Sequence, residues 1–336
     1  MNIMTTKPLV SVVIIGRNEG ERLIRCLNSI HQINKTEFTI EIIYVDSAST
    51  DNSIQNALKY QAQIVSVNAD RPSAAIGRNA GWRVARGNFI LFLDGDTILH
   101  PDFIAHALKA MQNQHIAVVW GHRRELDPDQ SVYVQAMDLD WIYPAGPCEF
   151  CGGDALMRTS VLRETGGFDD SLIAGEEPEL CRRIRHAGYT ILHIDTPMTL
   201  HDLAITRFSA YWKRAFRAGH AYAEIATRFA ESSDPLWQSE AKRNIRHGLL
   251  ILSMPLLILI ACYQILVWPI ILTAGMAMIC RTYVRTKTKS KKTITRLIYT
   301  LHSHFQQLPI FVGQISFYLD ELRGINRRLI DYKESD

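Results

Sequence analysis

Short apolar runs alternate with amphipathic helical patterns through the first 120 residues, and that rhythm leaves this chain few folds to choose from. Residues 9–15 (LVSVVII) are short and β-branched, as in a strand buried on both faces. Residues 21–33 then place Leu23, Ile24, Leu27 and Ile30 at helical spacing. Further strands are predicted at 40–45, 64–67, 89–93 and 116–120. Helices are predicted from a cap at 50–53 to about residue 60, over 73–85, and over 101–111 behind Pro101. The alternation predicts an α/β fold with a doubly wound, mostly parallel sheet. Ligands on such sheets bind beyond the carboxyl ends of the strands. Three polar clusters fall there and should converge: Gly16-Arg17-Asn18-Glu19, Asp46-Ser47-Ala48-Ser49 and Asp94-Gly95-Asp96-Thr97. Residues 121–147 read as loop or edge structure, 176–186 as helix and 191–194 as strand. Residues 207–229 read as a long helix mixing aromatic and basic side chains, with a break at 232–235.

The C-terminal third follows another rule. No charged residue occurs from Gly248 to Cys280, a length that suits a membrane element. Lys242, Arg243 and Arg246 precede the run, and Arg281, Arg285, Lys287, Lys289, Lys291 and Lys292 follow it. Basic flanks favour the cytoplasmic side. A single span would put one cluster outside, whereas a hairpin turning near Tyr263-Gln264 or Pro269 keeps both inside. Two equal arms would be only about 24 Å long, which favours a shallow or re-entrant hairpin. A buried soluble hairpin is the competing reading. Residues 294–322 are moderately apolar, fit to lie at the interface or to fold back on the first domain. The expected organisation is an α/β domain at 8–230, a linker or helix at 231–247, a hydrophobic membrane segment at 248–280 (re-entrant hairpin or span), and a basic linker with an amphipathic helix at 281–336.

Composition sets outer bounds. With 47% hydrophobic and 21% charged residues the chain can bury a core. A net charge of +3 gives no reason to expect a nucleic-acid partner. The six cysteines are scattered, so no disulfide framework follows and a reducing compartment is expected. Cys148-x-x-Cys151 is a single pair, short of a zinc site. Residues 1–8 lack the apolar stretch of a signal peptide.

Asp94-Gly95-Asp96 follows the strand FILFL. Two carboxylates flanking a glycine suit a hard divalent cation and a diphosphate, although Asp-Gly is also common in plain polar turns. The chain has neither GxGxxG after the first strand nor GxxxxGK[ST], so dinucleotide and P-loop sites are unsupported.

Four ordered blocks resemble the glycosyltransferases of family 2, which have the GT-A fold. They are VSVVIIGRNEGERLIRCL at 10–27, YVDSASTDNS at 44–53, GRNAGWRVARGNFILFLDGDT at 77–97, and the acceptor and base region at 150–188. The resemblance covers about residues 8–230. It implies that Asp46 binds the nucleobase, that Asn18 and Glu19 contact base and ribose, and that Arg78 lies near the diphosphate. Asp94 would approach ribose or sugar, Asp96 would hold the metal, and Asp154 in Gly152-Gly153-Asp154 would belong to the nucleotide-sugar site. GEEPEL at 175–180 resembles the family's Glu-Asp motif. Glu177 then matches the catalytic aspartate, one methylene longer, with Glu176 beside it as the alternative. A carboxylate there would take the proton of the attacking acceptor hydroxyl. His201 matches a histidine that related transferases use as a metal ligand, and imidazole suits Mn2+ better than Mg2+.

The resulting expectation is a metal-dependent (Mn2+ or Mg2+), inverting transferase taking a UDP- or GDP-sugar. The stretch 207–220 lacks the Q-x-x-R-W signature of processive synthases, so single-sugar transfer is expected. The acceptor would be a lipid-linked or glycan species in surface polysaccharide synthesis, with the enzyme at the inner membrane and its catalytic domain facing the cytoplasm. The alternatives are a nucleotidyltransferase, whose glycine-rich loop is missing, and a catalytically silent sugar-nucleotide binder.

Overall fold

The computed structural model describes residues 7–265 and 267–325. The described elements are, in order, β1 (Leu9–Gly16), α1 (Glu21–His31), β2 (Thr39–Asp46), α2 (Ser53–Lys59), β3 (Gln63–Ser66), α3 (Ala74–Val84), β4 (Phe89–Asp94), β5 (Thr97–Leu99), α4 (Phe103–Ala110), β6 (Ile116–Glu125), α5 (Val132–Asp138), β7 (Gly146–Cys148), β8 (Ala155–Arg158), α6 (Thr159–Thr165), α7 (Glu176–His186), β9 (Thr190–His201), α8 (Phe208–Arg228), α9 (Gln238–Tyr263), α10 (Val267–Arg285), α11 (Thr293–Phe305) and α12 (Gln307–Leu322). They form two compact units. One is the chain up to Leu126 with Trp141–Leu203; the other is Asp127–Asp140 with the chain from Ala204 onward.

The first unit is a mixed α/β sheet in the order β3-β2-β1-β4-β8-β6-β9-β5, with β7 beside β9. Its first half, β3-β2-β1-β4, is parallel throughout. That is the part the apolar runs announce: Val10, Val12, Val13 and Ile14 are buried in the centre of β1. Beyond β4, β8 runs antiparallel to both β4 and β6, while β6 and β9 pair in parallel. Helix α3 lies close on β1 and β2 because residue 81 is glycine. A Cβ there would stand 2.3 Å from Val13 Cγ1 and 2.9 Å from Val45 Cγ2.

Several expectations change. Strand β6 runs to Glu125 rather than residue 120, and β9 runs to His201 rather than residue 194. Their distal halves carry charged residues and read as loop, yet they pair with each other through irregularities near Trp120–Arg123. The region 121–147 also holds α5 and β7. At the predicted cap of 50–53, Asp51 Oδ1 accepts from the backbone N of Ser53, the first residue of α2, at 2.9 Å, while Asn52 at the N-cap position makes no side-chain bond.

In the second unit, α9 is 26 residues long with Pro255 inside it. It starts ten residues before the charge-free run and is about 39 Å long at 1.5 Å per residue; it ends at Tyr263, where a hairpin turn was expected, and its portion inside the charge-free run, 248–263, is about 24 Å long. Among the described residues, α9 is the one helix long and apolar enough to cross a membrane. Residues 294–322 form two helices, not one, and α12 packs on α8 and α9. Glycines permit that contact. A Cβ on Gly313 would stand 2.0 Å from the Phe216 carbonyl oxygen, and one on Gly219 would stand 2.0 Å from that of Ile310. Helix α8 therefore belongs with the C-terminal helices, whereas the expected catalytic domain runs through it to residue 230.

Candidate active site

The three polar clusters do follow neighbouring strands. Gly16 at the end of β1 is paired with Asp46 at the end of β2, and Ile15 with Asp94 at the end of β4. Asn18 links two of the loops: its Oδ1 accepts from Thr50 N at 2.7 Å and its N donates to Ser49 Oγ at 2.9 Å. It does so at φ 55°, a left-handed conformation that asparagine tolerates better than most residues. Asp46 accepts from Tyr44 Oη at 3.2 Å and Ser49 N at 2.9 Å. Burial and the neighbouring Asp46 push the Tyr44 phenol well above its ordinary range. Glu19 is buried and pairs with Arg22 at 3.2 Å. A Cβ on Gly16 or on Gly95 would each come within 3.0 Å of Glu19 Cγ, so both glycines make room for that side chain.

Arg78, on α3, is the hub. Its Nη1 lies 2.7 Å from Glu176 Oε1 and 2.9 Å from Glu177 Oε1, and its Nη2 lies 3.1 Å from Asp94 Oδ1. Burial alone would lower its pKa, but Glu177, Asp94 and Glu176 outweigh burial and raise it. Arg78 thus joins the DGD loop to the start of α7. Gly153 permits this, because a Cβ there would stand 2.4 Å from Arg78 Nη2. The two glutamates differ in access: the Glu177 side chain is 19% exposed and that of Glu176 only 5%.

Asp154 is wholly buried. It accepts from Asp94 N at 3.0 Å and Thr199 Oγ1 at 2.9 Å, with Arg123 Nη1 at 3.6 Å. Burial raises its carboxyl pKa although Arg123 opposes the shift. Asp154, expected at the nucleotide-sugar site, is thus enclosed and holds Asp94 through the Asp94 backbone N. Arg123 is a second buried cation, 4.0 Å from Asp94 Oδ2 and 4.4 Å over the Trp141 ring.

His201, the last residue of β9, faces Asp96 with Nε2 at 3.3 Å from Oδ2. Its Nδ1 lies 2.8 Å from Glu125 Oε1, and Glu125 Oε2 accepts from Leu203 N at 3.2 Å. Burial and Arg123 push the imidazole pKa down, Asp96 and Glu125 push it up, and the net shift is upward. Sequence reasoning missed Arg123, Glu125 and Trp141. All three fall in 121–147, where loop or edge structure was expected, and no motif marks any of them.

Among the described residues no three histidine, cysteine, aspartate or glutamate side chains form a ready metal cage. Asp96 and His201 nevertheless fit a divalent cation of the Mn2+ kind. One oxygen and one nitrogen converge, and the other imidazole nitrogen is fixed by a carboxylate. Such ions take few protein ligands and fill their remaining positions with water and phosphate oxygens. The cysteines are free thiols; Cys148 accepts from Trp120 Nε1 at 3.2 Å, and Cys151 lies 3.6 Å from Cys181.

The fold is also found in a solved protein. A mannosyltransferase of Pyrobaculum calidifontis, PcManGT, solved in complex with GDP-Man and Mn2+, superposes with a TM-score of 0.67. The match is 16% identical and covers 94% of this chain and 89% of that one. The fold is thereby of the GT-A kind. The chain belongs to glycosyl transferase family 2, whose model matches residues 11–214. Relatives include glycosyltransferase AglE of Haloferax volcanii, 22% identical over 66% of this chain and 75% of that one. Glycosyltransferase GlyG of Streptococcus pneumoniae is 30% identical over 48% of this chain and 51% of its own length. The putative glycosyltransferase EpsH of Bacillus subtilis is 28% identical over 68% and 71%.

Proposed function

We propose that this glycosyltransferase moves one sugar, with inversion, from a nucleoside-diphosphate sugar to a hydroxyl of a lipid-linked or glycan acceptor at the inner face of the cytoplasmic membrane. The observation that carries this reading is the Arg78 hub, which ties the nucleotide-sugar loop to an acidic pair at the N-terminus of α7. Asp46, Asn18 and Glu19 line the loops where base and ribose would lie, and Asp94 stands nearer the sugar. Asp96 and His201 would hold Mn2+ or Mg2+, which when bound supplies positive charge against the leaving diphosphate. The solved neighbour carries GDP-Man and Mn2+, in keeping with that donor class.

Glu177 is the better base because its carboxylate is the more accessible of the pair. In the displacement the acceptor oxygen bonds to the anomeric carbon and its proton passes to Glu177. The bond from that carbon to the phosphate oxygen breaks, and its electron pair leaves with the diphosphate. Arg78 fixes where the Glu177 carboxylate stands, and positioning of this kind is a large share of such a rate.

The test is thermal stabilisation of the detergent-purified chain by UDP, GDP, dTDP or CMP, with and without Mn2+. One nucleoside diphosphate should raise the melting temperature only with the metal, and Asp96→Ala should lose the effect. Glu177→Gln should keep the stabilisation and lose transfer by about 10²–10⁴-fold. Full transfer in that variant removes Glu177 as the base. Stabilisation by no nucleotide at saturating concentration overturns the donor assignment.

A further inference from the structure

A cavity of about 630 Å3 lies among α5, α8, α9 and α11, lined by Tyr133, Ala136, Tyr211, Ile251, Ile298 and Phe305 among others. The polar groups of its wall are largely used internally. Tyr211 Oη is hydrogen-bonded to His302 Nδ1 at 3.0 Å, and His302 Nε2 faces Asp140 at 3.5 Å. His304 engages His247 at 3.3 Å through one ring nitrogen and Thr282 at 3.1 Å through the other. What faces inward is carbon. A peptide or sugar bound there would lose its hydrogen bonds to water without replacing them; a hydrocarbon chain loses none.

The rim says where that chain comes from. Val132, Leu301 and Phe305 line the cavity and yet are 57%, 53% and 52% exposed. On α9, Leu249, Leu250 and Leu252 beside Ile251 are also exposed, inside the charge-free run. Clustered exposure of large apolar side chains marks a surface that something apolar covers, and α9 is the helix fit to cross a membrane. The segment leading into α11 adds charge. Residues 281–292 hold six cations and no acid, and Arg285, Lys287, Lys291 and Lys292 are exposed. Lys292 is about 9 Å along the helix axis from Ile298, within reach of a lipid phosphate whose chain enters the cavity.

We propose that this cavity holds the phosphate-proximal part of the hydrocarbon chain of a polyprenyl phosphate, the lipid that carries the acceptor, with its phosphate against the 281–292 segment. The proposal rests on the reading that the acceptor is lipid-linked. A bulk phospholipid chain is the competing occupant.

Native mass spectrometry of the detergent-purified full chain tests it, with undecaprenyl phosphate, dioleoyl phosphatidate or inorganic phosphate as probe. The expected result is one polyprenyl phosphate per chain, bound at least tenfold tighter than phosphatidate, with no retention of inorganic phosphate. Ala136→Phe and Ile298→Trp, which fill the cavity, should each weaken that binding at least tenfold. Both should keep the wild-type response to nucleotide and Mn2+, which shows that the variants are folded. Equal binding of phosphatidate, or undiminished binding in both filled variants, overturns the proposal. A chain that binds polyprenyl phosphate as expected but responds to no nucleotide overturns the transferase reading instead, so the two failures are told apart.

Discussion

Three buried side chains, Arg78, Arg123 and His201, organise the acidic residues of the site, and each does so differently. Arg78 gathers Asp94, Glu176 and Glu177. Burying that guanidinium is tolerable only because all three carboxylates face it, and removing a partner from such a pair costs about 3–5 kcal/mol. Arg123 stands behind Asp94 and Asp154 with its face on Trp141. His201 has Asp96 on one nitrogen and Glu125 on the other. Glu125 is thus placed to keep Nε2 turned toward Asp96, and with Asp96 and His201 proposed as ligands it is a positioning residue. Glu125→Leu should weaken Mn2+ binding in the presence of the nucleoside diphosphate by about 10–100-fold. Glu125→Gln keeps an oxygen for the imidazole and should lie close to the wild type. Electron paramagnetic resonance of free Mn2+ reads both. Equal Mn2+ affinity in all three proteins would mean that Glu125 serves the fold alone.

Elements were legible where burial is apolar and periodic. Strands β1 to β4 and helices α1 and α3 follow from runs such as VSVVII and from Leu23, Leu27 and Ile30 on one face. The distal halves of β6 and β9 were not, because Arg123, Glu125, Thr199 and His201 are buried polar residues that satisfy partners across the sheet. Nothing in sequence tells a charged strand with a partner from a charged loop without one. Strands β5, β7 and β8, three or four residues each, are too short to show a period. The candidate site was legible as a set of loops, whereas the Arg78 hub that joins residues 78, 94, 176 and 177 was not. At this scale Glu41 on β2 makes a testable clamp. Its carboxylate accepts from Ser11 Oγ at 2.5 Å on β1, and from Arg86 N at 2.7 Å and Nε at 2.8 Å just past α3. Burial opposes ionisation, but the Ser11 and Arg86 bonds prevail and lower the pKa from 4.5. A lowered folded pKa means stabilisation that is complete above the unfolded value and lost as pH falls through the folded one. Glu41→Gln should therefore melt lower than the wild type at pH 7, by the equivalent of about 1 kcal/mol. The gap should close as pH drops below about 4.5. A gap of constant size across pH 3–7 in paired melting curves would show that the charge plays no part.

For the molecule as a whole, the decisive question is what surrounds α9. Its outer surface carries Leu249, Leu252, Leu256 and Leu259, all more than half exposed. Water would penalise such a stripe, at about 25 cal/mol for each Å2 of apolar surface, and lipid would not. Within the same unit, α12 seats on α8 through Gly219 and Gly313 at backbone contact, the small-residue packing that works without a hydrophobic driving force between helices. Both features fit a helical unit built for a membrane, and together they give a prediction whose sign differs between the two surroundings. Leu256→Arg with Leu259→Arg places two charges near the middle of the charge-free part of α9, 248–263. In a bilayer each charge costs about 2.5–3.5 kcal/mol on insertion scales, so the doubly substituted chain should shift from the carbonate-resistant membrane fraction to the extract or be lost to degradation. In water the same change removes exposed apolar surface, so the variant should be recovered soluble in higher yield than the wild type. Carbonate extraction of membranes from cells expressing each form separates the outcomes, and higher soluble yield of the arginine variant would refute a membrane-embedded α9.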